Sequence, residues 1–253
     1  GDKRVLRFFG LQQRRVCEFE LMSGRLSKNQ AKKAGEFLAG CADPFGNDAS
    51  PARLVVDEWR EAHKEVFLKV PEILKNISYA IDPGAVVVGR LKRMDTIVGK
   101  LRRPGLNMKL NEMCDIVGCR VIANDVEAVR KISSAIESRL NVKPKTGVKD
   151  YIPHPKANGY RSAHVISRHD APEAGLANLF CETQVQTCLQ HAWATALETY
   201  DVISRSALKF GGGSDEEERL FALISNAFAI KGSSRWFRKR QLLKTGCEEK
   251  LFR

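Results

Sequence analysis

Two acids sit where an apolar strand would not ordinarily carry them. Asp115 opens the run CDIVGCRVIAN (114–124), and Glu182 stands inside NLFCETQVQT (178–187). Strict alternation in the second run places Leu179, Cys181, Thr183 and Val185 on one face and Phe180, Glu182, Gln184 and Gln186 on the other. A polar face of that kind is either bathed in solvent or lines a cleft. Two carboxylates on neighbouring strands have the oxygen chemistry that Mg²⁺ takes, alongside waters and phosphate oxygens. Arg90, Lys92, Arg93, Lys100, Arg102 and Arg103 crowd one short stretch against a single acid, Asp95. Acids for a metal beside cations for phosphates are the components of a phosphoryl-transfer site. No GxxxxGK[ST] loop occurs, so a Walker-type phosphate loop is not the device used.

A third group of residues lies in YIPHPKANGYRSAH (151–164). Asn158-Gly159 is a strong turn signal, set before Tyr160, Arg161 and His164. The turn either presents Tyr160 to a flat ligand or is a hairpin whose tyrosine is packed.

These residues need elements to hold them. Hydrophobic spacing predicts a short helix ending near Gly40, a loop over 41–51, and a helix opened by Ser50 as N-cap and Pro51 as first helical residue. Val55, Trp59, Ala62 and Val66 form its stripe, and Pro71 interrupts it or marks a boundary. A strand at VVVG follows, then a helix from about Arg93 to Arg103 with Met94, Ile97, Val98 and Leu101 inward. Next come the strand at 114–124, the helix VEAVRKISSAIESRL, a basic strand or loop over 142–152, and strands over 159–169 and 178–187. A long helix from Cys188 to about Leu208 carries Leu189, Trp193, Ala196, Leu197 and Tyr200. Ser214 caps a last helix striped by Leu220, Ile224, Ala227 and Phe228. The order β-α-β-α-β-β-β-α gives an α/β (α+β) domain with a mixed sheet of about five strands flanked by helices. The expected divisions are a basic arm and short helix (1–49), the main domain (50–232), and a basic tail or helix (233–253).

Composition narrows the class. Hydrophobic residues make up 43% and charged residues 28%, which suits a packed core. No run approaches the ~20 apolar residues of a membrane span, and the N-terminus does not read as a signal peptide. A cytoplasmic, non-membrane protein is expected. Lysine and arginine outnumber the acids 42 to 30, for a net +12, which favours polyanionic partners. Seven cysteines with no CxxC unit argue against a disulfide framework and a zinc site. Cys119 and Cys181 fall in buried-strand patterns.

The segments GRLKRMDTIVGKL, CDIVGCRVI, YIPHPKANGYRSAH, ETQVQT and LQHAWATALETY, in this order and spacing, resemble the RelA/SpoT-type alarmone synthetase domain over about residues 50–232. The resemblance implies a nucleotidyltransferase-like fold. It also implies a Mg²⁺-dependent pyrophosphokinase that moves the β,γ-pyrophosphoryl group of ATP to a ribose 3′-hydroxyl. GDP or GTP is the default acceptor, giving (p)ppGpp and AMP. By the same resemblance Asp115 and Glu182 are the metal-binding and catalytic pair. Arg90 and Arg120 sandwich adenine, as guanidinium planes can, and Lys92 and Lys100 meet phosphates. Lys156, Tyr160, Arg161 and His164 form the acceptor pocket, with Gln184, Gln186 and His191 behind. Asp115 and Arg120 are five residues apart, so this assignment needs Asp115 to precede the regular strand or Gly118 to sit at a bulge.

One departure stands out: most members read E-x-Q-x-R-T where this chain reads ETQVQT, with Gln186 in place of arginine. Nothing before residue 50 resembles the hydrolase half of long members, so a synthetase-only chain is expected. The later helices resemble small stand-alone members, some of them toxins that pyrophosphorylate the tRNA 3′-CCA end, others makers of adenosine alarmones. The alternatives are therefore tRNA or an adenosine nucleotide as acceptor, an antitoxin partner for the basic ends, or a catalytically weak nucleotide- or RNA-binding module. Homo-oligomers are common among small members.

Overall fold

The computed structural model describes residues 26–233. The basic arm up to Arg25 and the tail after Ser233, with the RNA- or antitoxin-gripping roles expected of them, lie outside the described residues. Within them are strands β1 (Val86–Leu91), β2 (Val117–Ala123), β3 (Val148–Asp150), β4 (Ala163–Ala171) and β5 (Leu176–Thr187). The helices are α1 (Lys28–Gly40), α2 (Ser50–Ala62), α3 (Lys64–Tyr79), α4 (Met94–Leu101), α5 (Val126–Arg139), α6 (Cys188–Ser204) and α7 (Asp215–Ser233). The sheet order is β1-β2-β5-β4-β3, and β3 pairs antiparallel with β4, Lys149 opposite His164. Five strands in the expected succession bear out the fold class. Among the described residues no helix is long and apolar enough to cross a membrane.

The chain packs as two compact units. The first is built from the described residues up to Phe67, Leu91–Val117 and His169–Phe180. In it, α1 turns Ala31, Ala34, Phe37 and Leu38 inward at helical spacing, and Ser27 caps it by accepting from the Gln30 N–H at 3.2 Å. Gly35 is required where α1 meets Leu110, because a Cβ there would stand 2.8 Å from the Leu110 Cβ. α2 buries Ala52, Val56, Trp59 and Ala62.

Three expectations are corrected here. Ser50 is not the cap of α2: a 3₁₀ turn over Asn47–Ala49 leads in, and Ala49 occupies the cap without a side-chain bond. Val56 rather than Val55 belongs to the buried stripe. Pro71 marks no boundary, since it lies inside α3. The buried residues Val70, Leu74 and Ile77 on that helix offset the one hydrogen bond that proline cannot donate.

The second unit is built from Leu68–Arg90, Gly118–Arg168 and the described residues from Cys181 onward. Cys119 and Cys181 are buried as expected, their sulfurs 3.7 Å apart on adjacent strands. α6 begins at a full capping box, Thr187 accepting from Gln190 N and Gln190 Oε1 from Thr187 N. It buries Trp193, Ala194 and Leu197; Ala196 is exposed. α7 starts as expected from Ser214, which exchanges bonds with Glu217. Its inward residue is Phe221, however, and Leu220 is 53% exposed. Trp193 fixes that register by donating its indole N–H to the Phe221 carbonyl at 2.9 Å.

Candidate functional site

In the first unit, three charged side chains converge. The backbone N–H of Lys92, just past β1, donates to the Ile116 carbonyl at 2.8 Å. That bond ties the end of β1 to the turn before β2. Lys92 Nζ then reaches Asp115 Oδ2 at 2.9 Å, and Lys100 Nζ, in the last turn of α4, reaches Oδ1 at 2.8 Å. Asp115 lies in that turn, ahead of the first strand residue Val117. This removes the conflict with alternation, because the acid is not bound to the strand's two-residue period. Burial alone would raise the Asp115 carboxyl, but the charges and hydrogen bonds of Lys100 and Lys92 outweigh it and hold the group below its usual range. The cluster carries a net positive charge, half-buried, which suits phosphate oxygens.

In the second unit, β5 presents Glu182, Gln184 and Gln186 on one face. Gln184 Nε2 donates to Glu182 Oε2, and its Oε1 accepts from Arg120 Nη2, both at 3.2 Å. Arg120 Nη1 also lies 3.1 Å from His191 Nδ1 on α6. Arg90 is exposed at the end of β1. A Cβ on Gly118 would touch its stem at 3.8 Å, so Arg90 crosses the face that Gly118 and Arg120 share on β2.

Tyr160 is presented by the Asn158-Gly159 turn. Asn158 Oδ1 accepts from the Tyr160 N–H at 3.1 Å, and Gly159, at φ +91°, packs so closely on α7 that a Cβ would lie 2.8 Å from Ala222 Cα. The phenol oxygen of Tyr160 lies 2.8 Å from His164 Nε2, whose Nδ1 lies 3.5 Å from Glu182 Oε1. Burial pushes the Tyr160 phenol up to about 12, so it stays protonated. Gln186 is fully buried, its Nε2 3.4 Å from the phenol oxygen.

Arg161 goes elsewhere. Its guanidinium donates to Ser225 Oγ at 3.2 Å, to Asn226 Oδ1 at 2.8 Å and to the Ile152 carbonyl, tying the loop to α7. A mostly apolar cavity of about 190 Å³ opens on that side, between Arg161, Trp193, Gln190 and Phe228. Of the residues expected to form the site, that cavity touches Arg161 alone.

Sequence reasoning missed two participants. Tyr151 packs 6.0 Å from Tyr160 and 5.3 Å from His164, ring to ring, and Lys156 Nζ lies over both tyrosines at 4.9 and 5.0 Å. Its signal was its place in the same YIPHPKANGY run. Glu198 on α6 pairs with Lys209. Burial would raise that carboxyl, but Lys209's bond and charge, with Arg120 and Arg90 beyond, lower it overall. Nothing in the helical pattern marked it.

Comparisons with known proteins fall on these residues. Residues 89–200 match the family described as a region found in RelA / SpoT proteins. Among curated proteins, GTP pyrophosphokinase YjbM of Bacillus subtilis is 29% identical over 141 residues, 54% of this chain and 66% of that protein. GTP pyrophosphokinase YwaC of the same organism is 29% identical over 47% of this chain and 59% of its own length. The chain thus spans about six-tenths to two-thirds of these relatives. Among solved structures, a GTP pyrophosphokinase family protein from Streptococcus pneumoniae superposes with TM-score 0.54 at 24% identity, covering 79% of this chain and 97% of that one. Small alarmone synthetase 1 of B. subtilis, bound to its product pppGpp, gives 0.55 at 23%, covering 78% and 96%. These likenesses establish a shared fold, and the match to the RelA / SpoT region is confined to residues 89–200.

Proposed function

We propose that this chain, built around a RelA/SpoT region, is a pyrophosphokinase that transfers the β,γ-pyrophosphoryl group of ATP to the 3′-hydroxyl of a guanosine nucleotide. The observation that carries the reading is the Tyr160–His164–Glu182 array: an aromatic ring hydrogen-bonded to a histidine whose other nitrogen lies 3.5 Å from a half-buried carboxylate, inside the matched region. An aromatic face to stack the acceptor's base and a carboxylate to take its 3′-hydroxyl proton are what nucleophilic attack by a ribose oxygen requires.

In this reading the freed oxygen attacks the β-phosphorus, the bond from the β-phosphorus to the bridging oxygen breaks, and AMP leaves with that oxygen. Lys92 and Lys100 meet the phosphates, giving up their grip on Asp115 as they do so. Arg90 and Arg120 hold adenine, and Arg120 is kept in place by Gln184 and His191. Lys156, Tyr160 and His164, joined by Tyr151, hold the acceptor; Arg161 shapes the pocket only by anchoring the loop. Asp115 and Glu182, each in its own unit, are hard oxygen donors of the kind Mg²⁺ prefers, and either carboxylate could hold the metal. When bound, it would neutralise charge on the transferred group. The main domain is taken as 50–232.

The names of the relatives support the guanosine acceptor. The net charge of +12 keeps tRNA as the competitor. Labelled ATP, Mg²⁺ and, in parallel, GDP, GTP, ADP and total tRNA decide it. AMP release with label in a guanosine nucleotide is the expected result. Label in tRNA alone would replace the acceptor, and no AMP with any acceptor would sink the reading.

A further inference from the structure

Gln186 sits where nothing from solvent reaches it, at 0% exposure, yet it is polar and close to the proposed acceptor platform. Its Nε2 lies 3.4 Å from the Tyr160 phenol oxygen, and its Oε1 is buried with no hydrogen-bond partner. The phenol lies 2.8 Å from His164 Nε2 on its other side. One proton arrangement satisfies the row. Gln186 donates to the phenol, the phenol donates to His164 Nε2, and the hydrogen on His164 Nδ1 faces Glu182. The ring is thereby gripped at its far edge from two sides. Trp193 flanks it at 6.2 Å and Tyr151 at 6.0 Å.

Resting on the function proposed above, we propose that Gln186 is a positioning residue that sets the tilt of Tyr160 and so the affinity for the acceptor's base. It does not touch phosphate. A buried amide can do this because it donates to the phenol without bringing a charge into a sealed position, where a guanidinium would have to shed its water. The orphaned Oε1 is the cost of that choice, and it shows that packing alone does not account for glutamine here. An apolar residue of the same shape would leave no polar atom unpaired.

The test is a KM-against-kcat comparison. Q186M keeps the volume and loses the donor. It should raise the KM for GDP or GTP about ten-fold, the factor equivalent to one hydrogen bond, with the KM for ATP and kcat nearly unchanged. Y160F removes the same bond from the other partner and so tests the idea even if residue 186 tolerates no change. Adding Q186M to Y160F should give no further rise. Q186R should weaken acceptor binding as well, since it buries a cation beside the phenol. An unaltered acceptor KM in Q186M, additivity of the pair, or a gain in Q186R would each overturn the proposal. Wild-type protein that releases no AMP would instead remove the reading beneath it, so the two failures are told apart by the wild-type control.

Discussion

Lys100 donates to Asp115 Oδ1 at 2.8 Å while Lys92 occupies the other oxygen, so one half-buried carboxylate holds two ammonium groups that would otherwise repel. Replacing that carboxylate by an amide takes away the negative charge that holds the two ammonium groups together. D115N should therefore lower the unfolding free energy by about 2–3 kcal/mol, below the range for a fully buried pair because all three side chains keep some solvent. K100M leaves the pair with Lys92 intact and should cost less. Thermal or urea unfolding measures both; equal stability of D115N and wild type would show that the lysines find other partners.

Gly159 makes Tyr160's position possible, and its substitution has a foreseeable effect. Its φ of +91° disfavours any L side chain, and a Cβ would press on Ala222 Cα, Ser225 Cβ at 2.9 Å and the Phe221 carbonyl at 3.1 Å. Backbone atoms of a packed helix cannot yield cheaply. G159A should destabilise the protein by about 2–4 kcal/mol, combining left-handed strain with overpacking. Because the turn carries Tyr160, the acceptor KM should rise in whatever fraction remains folded. A melting curve and steady-state kinetics on the same preparation check the two effects.

How much of this was legible beforehand depends on what each residue answers to. The strands and their order followed from local patterns, because alternation and turn residues act within a few positions. Asp115 and Glu182 stood out by residue type and place on a strand and the lysines by crowded charge, while the roles given to them and to Tyr160 came from the resemblance. Helix registers were less so: Val56 and Phe221 displaced Val55 and Leu220 by a single residue, a rotation that only tertiary partners decide, as the Trp193 bond to the Phe221 carbonyl does. Arg161 stands between a candidate stacking ring and a candidate histidine in sequence. Its direction was set by acceptors on α7, 64 and 65 residues away, which no local pattern encodes. Tyr151 was hidden for the same reason, since ring-on-ring packing leaves no periodic trace.

Arg120 makes two contacts that only a planar guanidinium satisfies together, with Gln184 Oε1 at 3.2 Å and His191 Nδ1 at 3.1 Å. R120K keeps the charge and loses the fork. The KM for ATP is expected to rise about ten-fold or more, the equivalent of one hydrogen bond to a charged group, with the acceptor KM little changed. A rise confined to the acceptor would place Arg120 in the other pocket.

His63 supplies a pH dependence that involves no substrate. It is 1% exposed between α2 and α3, its Nδ1 2.7 Å from the Trp59 carbonyl, and its ring 5.0 Å from the indole. Burial, opposed only in part by that hydrogen bond, lowers its pKa to about 4 from an ordinary value of 6.5. The folded state thus binds the proton less readily than the unfolded chain. Stability from this group is complete above pH 6.5 and falls as the pH drops towards 4. The loss over that window amounts to about 3 kcal/mol. H63F should flatten this part of the curve, because phenylalanine has nothing to protonate and can still pack edge-on against Trp59. Urea unfolding at intervals between pH 7 and pH 4 gives the comparison. Parallel curves for wild type and H63F would mean that His63 takes up its proton in the fold as easily as outside it, through an opening of the α2–α3 corner.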